Sequence, residues 1–265
     1  MRESTGPEFI EAIARGLDVI RAFGATGQSL SLSDLSTSTG LARPTVRRIL
    51  LTLDELGYVR SENGSFSLTP RVLDLGMAYV SSSSIWEIAR PHLTSLSEAV
   101  HESCSLAQLD GSDIVYVARV AVPKLVALSV TIGTRFPAAA TSLGKVLLAA
   151  LDPAELARVL AIPSRSSVVP SWRPDAAELE ASLREVRAAG WALTDQQLAP
   201  AIRSVAAPVR DGSGRVVAAV NVNAHALETS VETLVGSHLP RLLTAAGAIS
   251  ADWARWESRP LAEVS

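Results

Sequence analysis

Residues 32–70 constrain this chain more than any other segment. Gly40 and Pro44 impose a helix stop followed by a helix start. Glycine is the favoured C-terminal breaker, and proline suits a first turn because its missing N–H has no partner to lose there. Beyond Pro44, Val46, Ile49, Leu50, Leu53 and Leu56 form an apolar stripe at helical spacing that ends at Gly57. Upstream, a short helix is predicted from Ser33, whose hydroxyl can accept from the free backbone N–H groups that begin at Asp34. Downstream, Tyr58, Val59, Phe66 and Leu68 flank Asn63-Gly64, the strongest short hairpin signal. A further helix is predicted over residues 8–23, where Phe9, Ile13, Leu17, Ile20 and Phe23 recur along one face.

Helix, short helix, turn, helix and hairpin is the order of a winged helix-turn-helix. That arrangement holds its third helix out so that the N-terminal residues reach base edges in a major groove. Arg43, Thr45, Arg47 and Arg48, beside Pro44, fall off the apolar stripe and face outward. Arginine grips guanine O6 and N7, or a phosphate, with two parallel hydrogen bonds. Arg60 and Asn63 on the hairpin are placed to meet the backbone in the adjacent groove. Double-stranded DNA is the partner this pattern predicts.

The charge balance has to be reconciled with that partner. The 265 residues carry 24 basic and 27 acidic side chains, a net charge of −3. Residues 1–80 hold eight arginines against nine acidic residues, a net −1, so no globally basic domain exists. The positive charge is local, at residues 43–48, and Asp54 and Glu55 lie further along the same helix, away from the groove.

Residues 71–80 are predicted helical, and the Ser81–Ser84 run is the expected joint between two domains. Beyond it, helices are predicted around 85–100, at 142–151, 153–160 and 175–189, and across much of 228–257. Strands are predicted at 103–109, 113–119, 125–131, 191–195, 203–210 and 215–223, with Asp110-Gly111 and Asp211–Gly214 as hairpin turns. This mixture predicts an α+β fold: a winged helix-turn-helix over 1–70, a helical linker over 71–84 and a sheet domain over 85–265.

Enzymatic chemistry finds little support. Cys104 is the single cysteine, so neither a disulfide framework nor a cysteine metal site is available, and the four histidines lack metal-ligand spacing. Ser142-Leu143-Gly144-Lys145 falls short of a phosphate loop, because position 139 is Ala and position 146 is Val. His101 and Cys104 are not expected to converge, and Glu178 and Glu180 do not share a helix face. No metal or cofactor is expected. The absence of a signal core and of a long apolar run predicts a cytoplasmic protein without membrane contact.

The segment LSLSDLSTSTGLARPTVRRILLTLDELGYVRSENGSFSLTP resembles the winged domain of IclR-type bacterial transcriptional regulators. IGTRFPAAATSLGKVLLAAL is similar to the effector-domain signature of the same family, and VHESCSLAQLDGSDIVYVARV most resembles regulators of protocatechuate, 4-hydroxybenzoate and β-ketoadipate catabolism. The resemblance implies a GAF-like effector domain, homodimers through the DNA-binding half and, often, tetramers through the effector half. It also implies an effector cleft at Ser142 and Leu143, near Thr194 and Asp195, at Ser204, and on the strand holding Asn221 and Asn223.

The residues themselves fit a small carboxylate there. Thr141 and Ser142 offer hydroxyls and free N–H groups at a helix N-terminus, an end that favours anions. Asn221 and Asn223 share one face of an apolar strand and need partners. Arg119, Arg135 and Arg203 are candidate carboxylate clamps, although Asp195 can take Arg203 and a structural role suits Arg135 better. Coupling between the halves is expected through the 71–100 helices. Two rival readings stay compatible with the residues: a small-molecule-binding enzyme with an accessory helical domain, and a winged domain that docks a protein.

Overall fold

The computed structural model describes residue 6 and residues 8–27, 29–82, 85–123 and 130–258. The chain divides into two units, Met1–Ser83 and Ser84–Ser265.

In the first unit, α1 (Glu11–Thr26), α2 (Leu32–Thr39) and α3 (Arg43–Glu55) precede a wing of β2 (Val59–Glu62) and β3 (Ser65–Leu68), and the two-residue β1 (Leu30–Ser31) completes an antiparallel sheet of order β1-β3-β2. Helix α2 starts earlier than predicted. Its cap is Ser31: the Ser31 hydroxyl accepts from Asp34 N, and the Asp34 carboxylate accepts from Ser31 N at 3.0 Å. This reciprocal box needs an acidic residue three positions on, which Ser31 has and Ser33 lacks. Hydrogen bonds from Ser31 hold the Asp34 carboxyl below its ordinary pKa range. Gly40 ends the helix at φ +67°, and Asn63 and Gly64 take φ +50° and +79°, as a tight hairpin turn of this hand requires.

Val19, Phe23, Leu30, Leu35, Val46, Leu50 and Val59 form the core of this unit. The predicted stripe on α1 is corrected at its N-terminal end: Phe9, Ile13 and Leu17 are 39%, 60% and 41% exposed. The buried residues of α1, Val19, Ala22 and Phe23, lie in its last turns, and its own unit leaves the face that carries Phe9, Ile13 and Leu17 exposed. After a 3₁₀ turn at Pro70–Val72, α4 (Leu73–Ser82) likewise leaves Leu73, Leu75, Met77 and Tyr79 exposed. Ser83 and Ser84 lie outside the described residues.

The second unit is built on one antiparallel sheet of order β6-β5-β4-β9-β8-β7. Its strands are β4 (Ser103–Asp110), β5 (Asp113–Val120), β6 (Arg135–Pro137), β7 (Ala192–Asp195), β8 (Ile202–Arg210) and β9 (Val216–His225). The predicted strand at 125–131 falls mostly on residues 124–129, outside those described, and Val130 and Thr131 are not in a strand. Side chains alternate across the sheet. Cys104, Leu106, Val205, Ala207, Val220 and Val222 face α5 (Ile85–Val100) and α10 (Leu239–Glu257) in one core. Ala107, Tyr116, Ala206 and Ala219 face α6 (Ser142–Ala149) and α8 (Ala176–Ala189) in the other, with α7 (Pro153–Leu160) beside them. Between β9 and α10 lie α9 (Val231–Thr233) and a π turn, Leu234–His238.

Helix α6 is buried along its whole length. Thr141 caps it, its hydroxyl accepting from Gly144 N at 3.0 Å and donating to Ala138 O at 3.2 Å. Lys145 is 2% exposed, with its ammonium 4.2 Å from the centre of the Trp172 ring, and burial pulls its pKa down to about 8 against the attraction of Glu185. Gly144 permits the close approach: a Cβ there would stand 2.1 Å from the Ala138 carbonyl oxygen. Because that obstacle is backbone, Gly144→Ala should destabilise the second unit by about 3 kcal/mol, the upper range for overpacking. Chemical denaturation checks this, with a lowered midpoint expected; an unchanged midpoint would refute the close approach.

Candidate nucleic-acid interface and effector site

Pro44 lies in the first turn of α3 and sets the direction of the helix. Val46, Leu50 and Leu53 turn into the core, so Arg47 and Arg48 project outward, exposed and without a hydrogen bond or ion pair among the described residues. Thr45 is half-buried. Arg43 is tied back, donating from Nη2 to Ser33 Oγ at 2.8 Å, which braces the start of α3 against α2. On the wing, Arg60 pairs with Glu62 at 3.5 Å, and both are exposed. An exposed pair of this kind is weak, so a phosphate can compete for Arg60. Leu51, 52% exposed on the outer side of α3, joins this surface unforeseen. An apolar side chain there suits a thymine methyl. The sequence signal was its absence from the spacing of the buried stripe.

The second site lies on the sheet face beneath α6. Strand register aligns Arg119 with Ser105, and Ser105 with Asn221, across β5, β4 and β9. A second row aligns Ser103, Asn223, Ser204 and Thr194 across β4, β9, β8 and β7. Helix α6 brings Ser142 onto these rows: Ser142 Oγ donates to Ser204 Oγ at 2.8 Å, Asn221 Nδ2 donates to the same oxygen at 3.0 Å, and Ser204 Oγ donates to Val222 O at 2.9 Å. Arg119 Nη1 donates to Ser105 Oγ at 3.1 Å, while Arg119 Nε and Asn221 Oδ1 are buried with no partner among the described residues. Burial disfavours the Arg119 charge and lowers its pKa. Leu143 is fully buried in the core next to this chain of hydroxyls.

Other sequence candidates lie elsewhere. On β8, Ser204 and Ala206 face α6, so Arg203 faces the opposite side with Val205. There Arg203 pairs with Asp195 through two hydrogen bonds, at 3.0 and 3.1 Å, and donates to Thr229 O at 2.9 Å. Asp195 and Arg203 therefore do not join the rows beneath α6; the period-2 alternation of β7 gives that side to Thr194 instead. Arg135 is also apart. Its neighbour Phe136 turns into the α6 core, so Arg135 points the other way and pairs with Asp110. Thr194, in the stretch the family resemblance pointed to, completes the polar rows with Ser103 and Ser105, which were not singled out from sequence as ligand contacts. Their alternation with Cys104 and Leu106, and with Leu193, was visible, but their alignment with Asn221 and Asn223 needed the register.

Cys104 is fully buried, and burial pushes its thiol pKa up, away from the reactive thiolate. Among the described residues, no group of three acidic, histidine or cysteine side chains could hold a metal ion, and no helix is long and apolar enough to cross a membrane.

Residues 77–251 match the C-terminal domain of the bacterial transcriptional regulator IclR, and residues 12–63 match the IclR helix-turn-helix domain. The chain is 40% identical to the Pca regulon regulatory protein of Pseudomonas putida, over 90% of this chain and 82% of that protein. It is 47% identical to a candidate transcriptional regulator from Rhodococcus sp. RHA1 of solved structure, with TM-score 0.80, covering 94% of this chain and 100% of that one. An IclR homologue from Microbacterium hydrocarbonoxydans, complexed with 4-hydroxybenzoate, shares the fold at 24% identity and TM-score 0.77, covering 92% and 99%. IclR regulators bind operator DNA, and these relatives are regulators rather than enzymes. With a winged helix-turn-helix in one unit and a two-faced α/β sheet in the other, this chain belongs to the IclR family of transcriptional regulators.

Proposed function

We propose that this regulator binds its operator as a dimer and answers to a small carboxylate from aromatic-acid breakdown. Residues 1–70 serve as the reader, 71–84 as the linker and 85–265 as the sensor, and the protein works in the cytoplasm. The observation that carries the sensor role is the buried polar row Arg119–Ser105–Asn221, with the Ser142–Ser204 pair beside it. A half-buried guanidinium with no carboxylate partner among the described residues favours an anion. The Pca regulon name of the Pseudomonas putida relative and the 4-hydroxybenzoate complex of the Microbacterium homologue favour the same class of acid. Ser142, Leu143, Ser204, Asn221, Asn223 and Arg119 are the effector contacts in this reading. Thr141 acts through its cap, and Arg135, Asp195 and Arg203 hold the surrounding fold.

Dimerisation is supported by the uncovered apolar side chains of the first unit, Ile10, Ile13 and Leu17 on and beside α1 and Leu73 and Met77 on α4. A local charge cluster on a net-acidic unit gives little non-specific attraction, so pairing two readers on two half-sites supplies the affinity one reader lacks.

Three experiments test this function. Arg47→Ala and Arg48→Ala should each weaken binding of an operator fragment by about tenfold or lower the salt slope by about 1, with the circular dichroism unchanged. Unchanged affinity in both would remove α3 as the reader. Ile13→Glu should shift the protein from dimer to monomer in analytical ultracentrifugation and weaken operator binding with it; a dimer that survives refutes the α1 interface. In thermal-shift measurements, an acid of this class at 100 times its Kd should stabilise the protein by about 2.7 kcal/mol. If protocatechuate, 4-hydroxybenzoate and β-ketoadipate all leave the melting point unmoved, the proposed effector class is wrong.

A further inference from the structure

We propose that Leu51 reads a thymine of the operator through its C5 methyl group, close to the base that Arg47 contacts. This rests on the reading of α3 as the reader and names one feature of the DNA sequence it selects.

Helix geometry divides the outward residues of α3 into two sets. Val46, Leu50 and Leu53 fix the inward face. Arg48 shares one side with Thr45 and Thr52, and these residues line the cleft between α3 and α1. Arg47 and Leu51 lie on the other side. They are four residues apart, so one stands a turn beyond the other, about 6 Å along the helix axis. Both are exposed, Leu51 at 52%. Asp54 and Glu55 follow, also exposed, and their carboxylates are repelled by phosphates. Contact with DNA along this side therefore ends at Leu51.

Single exposed leucines are ordinary on protein surfaces. What sets Leu51 apart is its place, one turn beyond a guanidinium that has no partner among the described residues, on the helix that enters the groove. A leucine side chain neither donates nor accepts. Guanine, adenine and cytosine present polar groups to the major groove, and covering them with leucine removes water and returns no hydrogen bond. Thymine also presents an apolar group, the C5 methyl. Successive base pairs rise by about 3.4 Å, so a step of about 6 Å along α3 puts that thymine about two base pairs from the base beneath Arg47.

The test uses duplexes recovered with the full-length protein by repeated selection from a randomised pool. Each thymine of one half-site is then replaced in turn by deoxyuridine, which removes the methyl group alone. One replacement should weaken binding about fourfold, the loss for one methyl-sized group. It should fall within about three base pairs of the position at which Arg47→Ala relaxes the sequence preference. Leu51 lies outside the core of its unit, so its replacement leaves the fold intact. Leu51→Ala should bind the thymine duplex about fourfold more weakly and no longer distinguish it from the deoxyuridine duplex. Leu51→Met, with an apolar side chain of similar volume, should keep the distinction. The salt slope should stay the same in all of these, because no phosphate contact is removed. If every deoxyuridine duplex binds like its parent, or if Leu51→Ala still tells the two apart, the inference falls, while weakened binding by Arg47→Ala keeps α3 as the reader. A Leu51→Ala protein that sediments as a monomer places Leu51 between two copies of the chain and equally overturns the inference. If neither Arg47→Ala nor Arg48→Ala affects binding, the reader assignment itself fails and this inference with it.

Discussion

The C-terminal sheet is covered on both faces, and a covered face has no bulk water to satisfy the polar side chains it carries. On the side of α5 and α10 the solution is simple, because nearly every inward residue is aliphatic. On the α6 side the sheet presents serines, asparagines, a threonine and an arginine in two aligned rows. Helix α6 meets that demand by coming close enough for Ser142 to reach Ser204. Gly144, packed against the Ala138 carbonyl, is what lets it do so. The result is a hydroxyl chain saturated at Ser204, with the buried Arg119 Nε and Asn221 Oδ1 left unpartnered among the described residues. Binding capacity and folding constraint are thus two aspects of one packing problem.

Electrostatics in the first unit are arranged differently. Net charge is slightly negative, so long-range steering toward DNA is weak, and recognition has to come from a few groups held in place. Bracing of Arg43 by Ser33, the Pro44 start and the buried Val46–Leu50–Leu53 stripe fix the face on which Arg47 and Arg48 stand. The apolar first turns of α1 and the outward side chains of α4 are the opposite case, groups that their own unit leaves without a cover.

Much of this was legible in the chain because it rests on local backbone physics. Gly40, Pro44 and Asn63-Gly64 each admit few backbone conformations, so the helix-turn-helix and its wing could be placed within a residue or two. The start of α2 was misplaced because Ser31 and Ser33 are equally good caps in isolation. Only the reciprocal bond, in which Ser31 N donates to the Asp34 carboxylate, separates them, and it leaves Ser33 free to hold Arg43. The stripe on α1 was real as a pattern, but periodicity cannot distinguish a face that meets its own core from one that waits for a partner.

The site beneath α6 divides along the same line. Local rules were enough for Asn221 and Asn223 to share a face and for Thr141-Ser142 to open a helix, because a two-residue period and a cap involve only near neighbours. Which of the three candidate arginines joins them was decided by tertiary structure. Arg119 stands in register with Ser105 and Asn221, whereas Arg203 and Arg135 turn to the opposite side and find Asp195 and Asp110. Strand pairing between distant segments sets that register, and a shift of one residue would exchange the two faces. The sequence alone determined a reader, a sensor and the polar residues each has to place. The pairing of β4 with β5 and β9 decided which of those residues meet, since contacts across strands depend on long-range register that no local pattern encodes.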